Sequence, residues 1–332
     1  MRQKMVLNHN IKRGVSLFSF QEEYFLRKMT LEDLIDTAQE LDTPGIEIIG
    51  EQMIPGYPRV SESFFDQWHG WMEKYSRTPI CLDMILEWDR YKGRVMTEEE
   101  MAASVVEDIK VAKKLGCPIV RIMHGITPEL MERLAPHAEE YGVKLALEVR
   151  APFHFDHEYV QRLIETFQRA GSPSLGFTLD VSIYTKRFPR VISDYWLRKG
   201  MKEEIANHIT TAYENEAMDN IEDEVLQMGG TADDVNAAVS AKEYIYTDPR
   251  RMLDFMPYIF HVHGKVMEML PDYTEYGIPY QEIILVLIEG GYNGYLATEY
   301  EGNMYLQDAF VVDSVEQVRR HQVMLKRLLD EA

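Results

Sequence analysis

VKLALEVRAPFHFDHEYVQRLIETFQRAGSPSLGFTLDVS, running from Val143 to Ser182, holds one repeat of the architecture. VKLALEVR and SLGFTLDVS are short apolar runs, the composition of strands covered on both faces of a parallel sheet. Between them, His157 to Ala170 carries Val160, Leu163, Ile164 and Phe167 at helical spacing, and Gly171 follows where a helix would stop. Six more runs of the same kind lie on either side: GVSLFSF from Gly14, GIEIIG from Gly45, PICLDMI from Pro79, PIVRIMHG from Pro118, YIFHVHGKV from Tyr258 and GYLATEYEG from Gly294.

Helices with readable ends separate them. Leu31, Leu34, Ile35, Ala38 and Leu41 repeat behind Thr30 as a cap. Thr97 with Glu100 forms a capping box, and that helix passes Val105, Ile109 and Ala112 to stop at Gly116. Thr127-Pro128 opens another that Gly142 ends, and a last one starts near Ser314. Eight strand–helix units without a second hydrophobic system predict an α/β fold of the (β/α)8 TIM barrel type. A doubly wound open sheet would need a glycine-rich phosphate turn after its first strand. Here that strand leads into SFQEEYF, and GGYNG, from Gly290, precedes a strand instead of following one. A barrel needs about 250 residues, and the chain has 332. The excess concentrates between the sixth and seventh strands. Residues 1–332 are therefore expected to form one barrel domain, with a polar helical insertion over about 184–248 that covers the site or meets a partner chain.

The charge narrows the function. Lys and Arg number 35 and Asp and Glu 55, a formal balance of −20, which repels phosphate backbones and anionic lipid and argues against nucleic-acid or membrane partners. No apolar run approaches the roughly 18 residues of a membrane span, and MRQKMVLNHNIKRG has no hydrophobic stretch behind its basic residues to serve as a secretory signal. Cys81 and Cys117 lack disulfide or zinc spacing, so buried thiols in a reducing cytoplasm are expected.

The later strands end in residues that packing explains poorly. Glu148 ends the fifth, Asp180 the sixth, His261 and His263 the seventh, and Glu299 and Glu301 the eighth. A carboxylate inside an apolar strand is costly without a partner, because desolvation penalises its charged form. One divalent cation accounts for acids and imidazole on four successive strands. His263 is favoured as the ligand because it lies nearer the carboxyl end than His261, which shares its face. Glu299, next to the apolar run YLAT, is favoured over Glu301. Carboxylates with one imidazole suit Mn²⁺ best, with Mg²⁺, Co²⁺, Fe²⁺ or Zn²⁺ as alternatives. Lys265 can pair with the substrate or a carboxylate. Arg150 can neutralise a carboxylate or a substrate oxygen.

The order LALEVR, TLDVS, HVHGK and ATEYEG resembles the xylose-isomerase-like barrel family of sugar isomerases and epimerases. By that resemblance Glu148, Asp180, His263 and Glu299 form the metal set. From the residues themselves, Arg150, Lys265, Glu301 and His261 are candidate substrate contacts, with His261 also expected to support the ligand His263 from behind. In an epimerase, Glu148 and Glu299 would be the acid/base pair. The plain epimerases usually carry a His soon after the sixth-strand Asp and an Arg close behind the metal His. This chain instead has SIYTKRFPRV and KVMEML. Its length, acidity and long insertion are more similar to the α subunits of bacterial C-glycoside deglycosidases. There a small β subunit completes a hetero-oligomer, and a 3-oxo-glucosyl polyphenol is cleaved at its carbon–carbon link. A ketose or sugar-phosphate isomerase or 3-epimerase is the alternative.

Two further histidines are candidate acid/base groups: His124, ending the fourth strand, and His154, in the loop after the fifth. His137, His208 and His321 fall in helical stretches and are expected at the surface. Around His69, Trp68, Trp71 and Met72 read as core packing.

Overall fold

The computed structural model describes residues 9–123, 125–244 and 246–332. Its eight strands are β1 (Lys12–Ser16), β2 (Gly45–Ile49), β3 (Thr78–Met84), β4 (Ile119–Ile122), β5 (Lys144–Val149), β6 (Leu175–Asp180), β7 (Ile259–Val266) and β8 (Tyr295–Tyr300). All are parallel and adjacent in chain order, and β8 closes the barrel against β1 with Lys12 opposite Tyr295. This is a (β/α)8 TIM barrel.

Side chains alternate between the two faces of each strand, so each apolar run is read twice. On β5, Leu145, Leu147 and Val149 join the large core under the surrounding helices. Ala146 instead packs across the axis with Ile80, Ile119 and Ala297. A side chain at Gly14 would lie 2.7 Å from Ile80 Cδ1, so the bare backbone there leaves room for Ile80 to plug the axis. Above this plug the inward positions become charged, and that step creates the site.

The helices end where the sequence signals them. Thr30 with Asp33 and Thr97 with Glu100 both form complete capping boxes. Gly116 ends its helix at φ 80°, in the left-handed region. GVSLFSF is the exception, because the strand stops at Ser16 and Leu17–Phe20 turn as a 3-10 helix. Ser19 ties this turn to β8: its hydroxyl donates to Thr298 O and accepts from Tyr300 N. The pairing need that would have extended β1 is met by a side chain.

Helices Arg190–Arg198, Glu203–Glu214, Ile221–Gln227 and Ala232–Lys242 lie between β6 and β7. They surround an apolar cluster of their own that includes Phe188, Trp196, Ile205, Ile209, Ile221 and Val225. Cys81 and Cys117 are free and buried. His321 overturns its surface expectation: it is fully buried, its Nδ1 lies 2.7 Å from Thr298 Oγ1, and burial pushes its pKa down to about 3. Among the described residues no helix is long and apolar enough to cross a membrane.

Candidate metal centre

The register of the last strands assembles the site. Asp180 on β6 stands opposite His263 on β7, and Lys265 stands opposite Glu299 on β8. Glu148, Asp180, His263 and Glu299 each offer one ligand atom, and all four atoms lie within 4.8 Å of one another. All four residues are buried. His263 Nδ1 lies 2.9 Å from Glu148 Oε1 and 3.4 Å from Glu299 Oε2. Lys265 Nζ lies 2.6 Å from Glu299 Oε2, 2.9 Å from Asp180 Oδ2 and 2.8 Å from Glu301 Oε1. The lysine is thus buried among three acids. Arg150 Nε is 3.4 Å from Glu148 Oε2.

Three charged residues that the sequence reading passed over complete the cluster. Glu47 on β2 accepts from both histidines, Asp83 lies on β3, and Arg121 on β4 donates to Glu148 Oε1 at 2.8 Å. Each interrupts an apolar strand, in GIEIIG, PICLDMI and PIVRIMHG. That is the signal that exposed Glu148, and here it was available three strands earlier.

The electrostatics follow from this crowding. Burial pushes Glu47 up, but His263 and His261 outweigh it and hold the carboxyl well below its ordinary range. Burial is likewise outweighed at Glu148 by Arg121 and His263, and at Glu299, held at about 2, by His263 and Lys265. At Asp83 and Asp180 burial wins, and both are raised. Glu301 is raised by burial too. His263 is raised well above its usual value because its carboxylate neighbours overcome burial, and Lys265 is raised for the same reason.

Six carboxyls therefore face the cations Arg121, Arg150, Lys265 and His263, and the surplus negative charge is relieved by protons on the raised acids. A divalent cation would relieve it without them. Glu47 Oε1 is buried without a hydrogen-bond partner among the described residues, and Glu148 Oε2 and Asp180 Oδ2 meet only the cations Arg150 and Lys265, positions that a divalent ion could share. The donor set fits a hard or borderline divalent ion, and these groups can hold one.

Glu148, Arg150, Lys265, Glu299 and Glu301 line a cavity of about 140 Å³, with Asp83 and Arg121 beside them. A smaller cavity of about 30 Å³ adjoins Asp180, Arg150 and Lys265. His154 and His261 line neither. His154 stands edge-on to His157, and His261 is sealed behind Glu47. His124 lies outside the described residues.

A closed eight-stranded barrel with acids and imidazole at the carboxyl ends of its strands defines a class of TIM barrels whose charged rim can hold a metal ion. The chain belongs to the xylose isomerase-like TIM barrel family, whose model matches residues 35–327. Within it, the chain is similar to the C-glycoside deglycosidase alpha subunit of Microbacterium trichothecenolyticum, 31% identical over 323 residues that cover 92% of this chain and 88% of that one. It is 30% identical over 306 residues to the 3'-dehydrocarminate deglycosidase alpha subunit of a Microbacterium species, covering 87% of this chain and 88% of that one. The D-allulose 3-epimerase from Methylomonas sp., solved with D-allulose, shares the fold at a TM-score of 0.58 and 12% identity, covering 98% of this chain and 99% of that one.

Proposed function

We propose that this chain is the catalytic α subunit of a metal-dependent carbon–carbon lyase that releases the aglycone from a 3-oxo-C-glycoside. The convergence of Glu148, Asp180, His263 and Glu299 within 4.8 Å carries the reading. The similarity to deglycosidase α subunits over about nine-tenths of the chain supports the substrate class. Those four residues would hold the ion, with Mn²⁺ the best match, and a bound divalent ion would supply positive charge that stabilises the negative charge developing at a ketone oxygen.

The chain's own groups do the rest. Glu148 and Glu299 are held ionised and line the cavity, so either can accept the proton from the carbon next to the ketone. The electron pair of that C–H bond forms the new double bond, and the aglycone carbon leaves with the former C–C pair. The proton taken up by the carboxylate, or its equivalent from solvent, ends on that carbon, so that the sum of the step is elimination with no net gain or loss of protons. Lys265, held protonated, and Arg150 are placed to bind the sugar's oxygens. A cavity of about 140 Å³ suits one sugar ring. The aglycone then lies beyond Gln52, which lines both this cavity and a groove of about 630 Å³ walled by Tyr24, Phe64 and Trp71.

A partner subunit belongs to the reading, because the similar chains are named alpha subunits. Exposed Phe25, Trp88, Phe310 and Val311, in the segments that follow β1, β3 and β8, offer it an apolar footing. Incubating the Mn²⁺-loaded protein, with its co-purifying partner, with a 3-oxo-C-glucoside and separately with a free ketose tests the proposal. Release of the polyphenol is expected. Epimerisation of the ketose without release from the glucoside would assign the chain to the isomerases instead.

A further inference from the structure

Of the fully buried trio Glu47, His261 and His263, only His263 takes part in the chemistry above. A single oxygen, Glu47 Oε2, lies 2.6 Å from His261 Nε2 and 3.0 Å from His263 Nε2, while Oε1 has no hydrogen-bond partner among the described residues. An ionised carboxylate only accepts, so both ring nitrogens facing it must carry protons. This fixes the orientation of His263. With Nε2–H committed to Glu47, the nitrogen turned toward Glu148 and Glu299 is Nδ1. His261 makes the second bond to the same oxygen and stands edge-on to His263, with ring centroids 5.4 Å apart. Through that bond His261 helps to fix the Glu47 carboxylate.

We infer that Glu47 is a positioning residue: it accepts Nε2–H of His263, presents Nδ1 as the ligand atom, and makes that nitrogen a stronger donor to the divalent ion. The inference rests on the metal reading above but concerns a residue on β2, remote in sequence from the four ligands. A carboxylate behind a ligating imidazole raises the ring's basicity and prevents it from rotating, and loss of such a partner typically costs about tenfold to a hundredfold in metal affinity.

The test compares the full-length wild-type chain with Glu47→Gln and Glu47→Ala, using Zn²⁺ as a diamagnetic probe. Zn²⁺ affinity is measured by chelator competition, and the His263 ring is followed by ¹⁵N NMR. Gln keeps an acceptor oxygen in place and removes only the charge. We expect it to fold normally and bind Zn²⁺ about tenfold to a hundredfold more weakly than wild type, with Ala weaker still. In the Zn²⁺-loaded wild type, His263 should carry its proton on Nε2 and the ion on Nδ1. Wild-type affinity in both variants, or an ion on Nε2, overturns the inference. If Ala fails to fold, Gln alone decides. If the wild type takes up no Zn²⁺, the metal reading fails, and the metal-free spectra judge Glu47 separately. A slowly exchanging Nε2 proton on His263 that Glu47→Gln shifts would uphold the brace, and its absence from the wild type would overturn it.

Discussion

On the proposed function, Glu148, Asp180 and His263 bear the heaviest chemical demand, and each can be altered with little change of volume or by simple truncation. Glu148→Gln, Asp180→Asn and His263→Ala should each reduce turnover to background and lower the bound-metal content measured by elemental analysis, while circular dichroism stays that of the wild type. Retention of near-normal rates by two of the three would place the ligands elsewhere. Asp108, far from this chemistry, gives a separate expectation. Burial pushes its carboxyl up to about 7, against the pull of Tyr57, whose hydroxyl donates to Asp108 Oδ1 at 2.5 Å. A folded-state pKa above the unfolded one gives stability that is complete below about pH 4. That stability drains away as the pH rises through about 7. In Asp108→Asn that loss should disappear. Calorimetry should find the variant's melting temperature gaining on the wild type between pH 5 and pH 8, whereas a constant difference would show that Asp108 does not titrate there.

The elements were the most legible level of this sequence, because strand alternation and helix caps are local. The eight apolar runs appear as eight strands, and the Thr97–Glu100 box appears as a cap. Thr97→Ala removes the oxygen that accepts from Glu100 N and should cost about 1 kcal/mol, read as a lower denaturant midpoint with an unchanged slope. Non-local facts were hidden. That β1 would stop at Ser16 depends on Ser19 meeting Thr298 and Tyr300, nearly the whole chain away. That His321 would be buried depends on Thr298 and Tyr280 closing over a helix whose pattern alone resembles a surface helix. The site was half legible for a similar reason. Acids and imidazole at the ends of four consecutive strands form a visible series, whereas Glu47, Asp83 and Arg121 each sit singly inside an apolar run, and only barrel closure brings them to the same axis as the rest.

For the whole molecule, the helices between β6 and β7 pack around their own apolar cluster, in which Trp196 stacks on Phe188 with ring centroids 5.1 Å apart. Trp196→Ala should therefore cost about 3–5 kcal/mol locally. Hydrogen exchange should quicken across residues 190–242 while strands β1–β5 keep their protection, and uniform loss of protection would show that the insertion and barrel open as one unit. On the proposed function, the barrel's division into an apolar plug below and a charged layer above serves the capture of one divalent ion. Anomalous diffraction from crystals grown with Mn²⁺, recorded at the manganese edge, tests this most directly. One peak among Glu148, Asp180, His263 and Glu299 is the expected result, and Mn²⁺-grown crystals with no peak there, Lys265 still bridging Asp180 and Glu299, would contradict it.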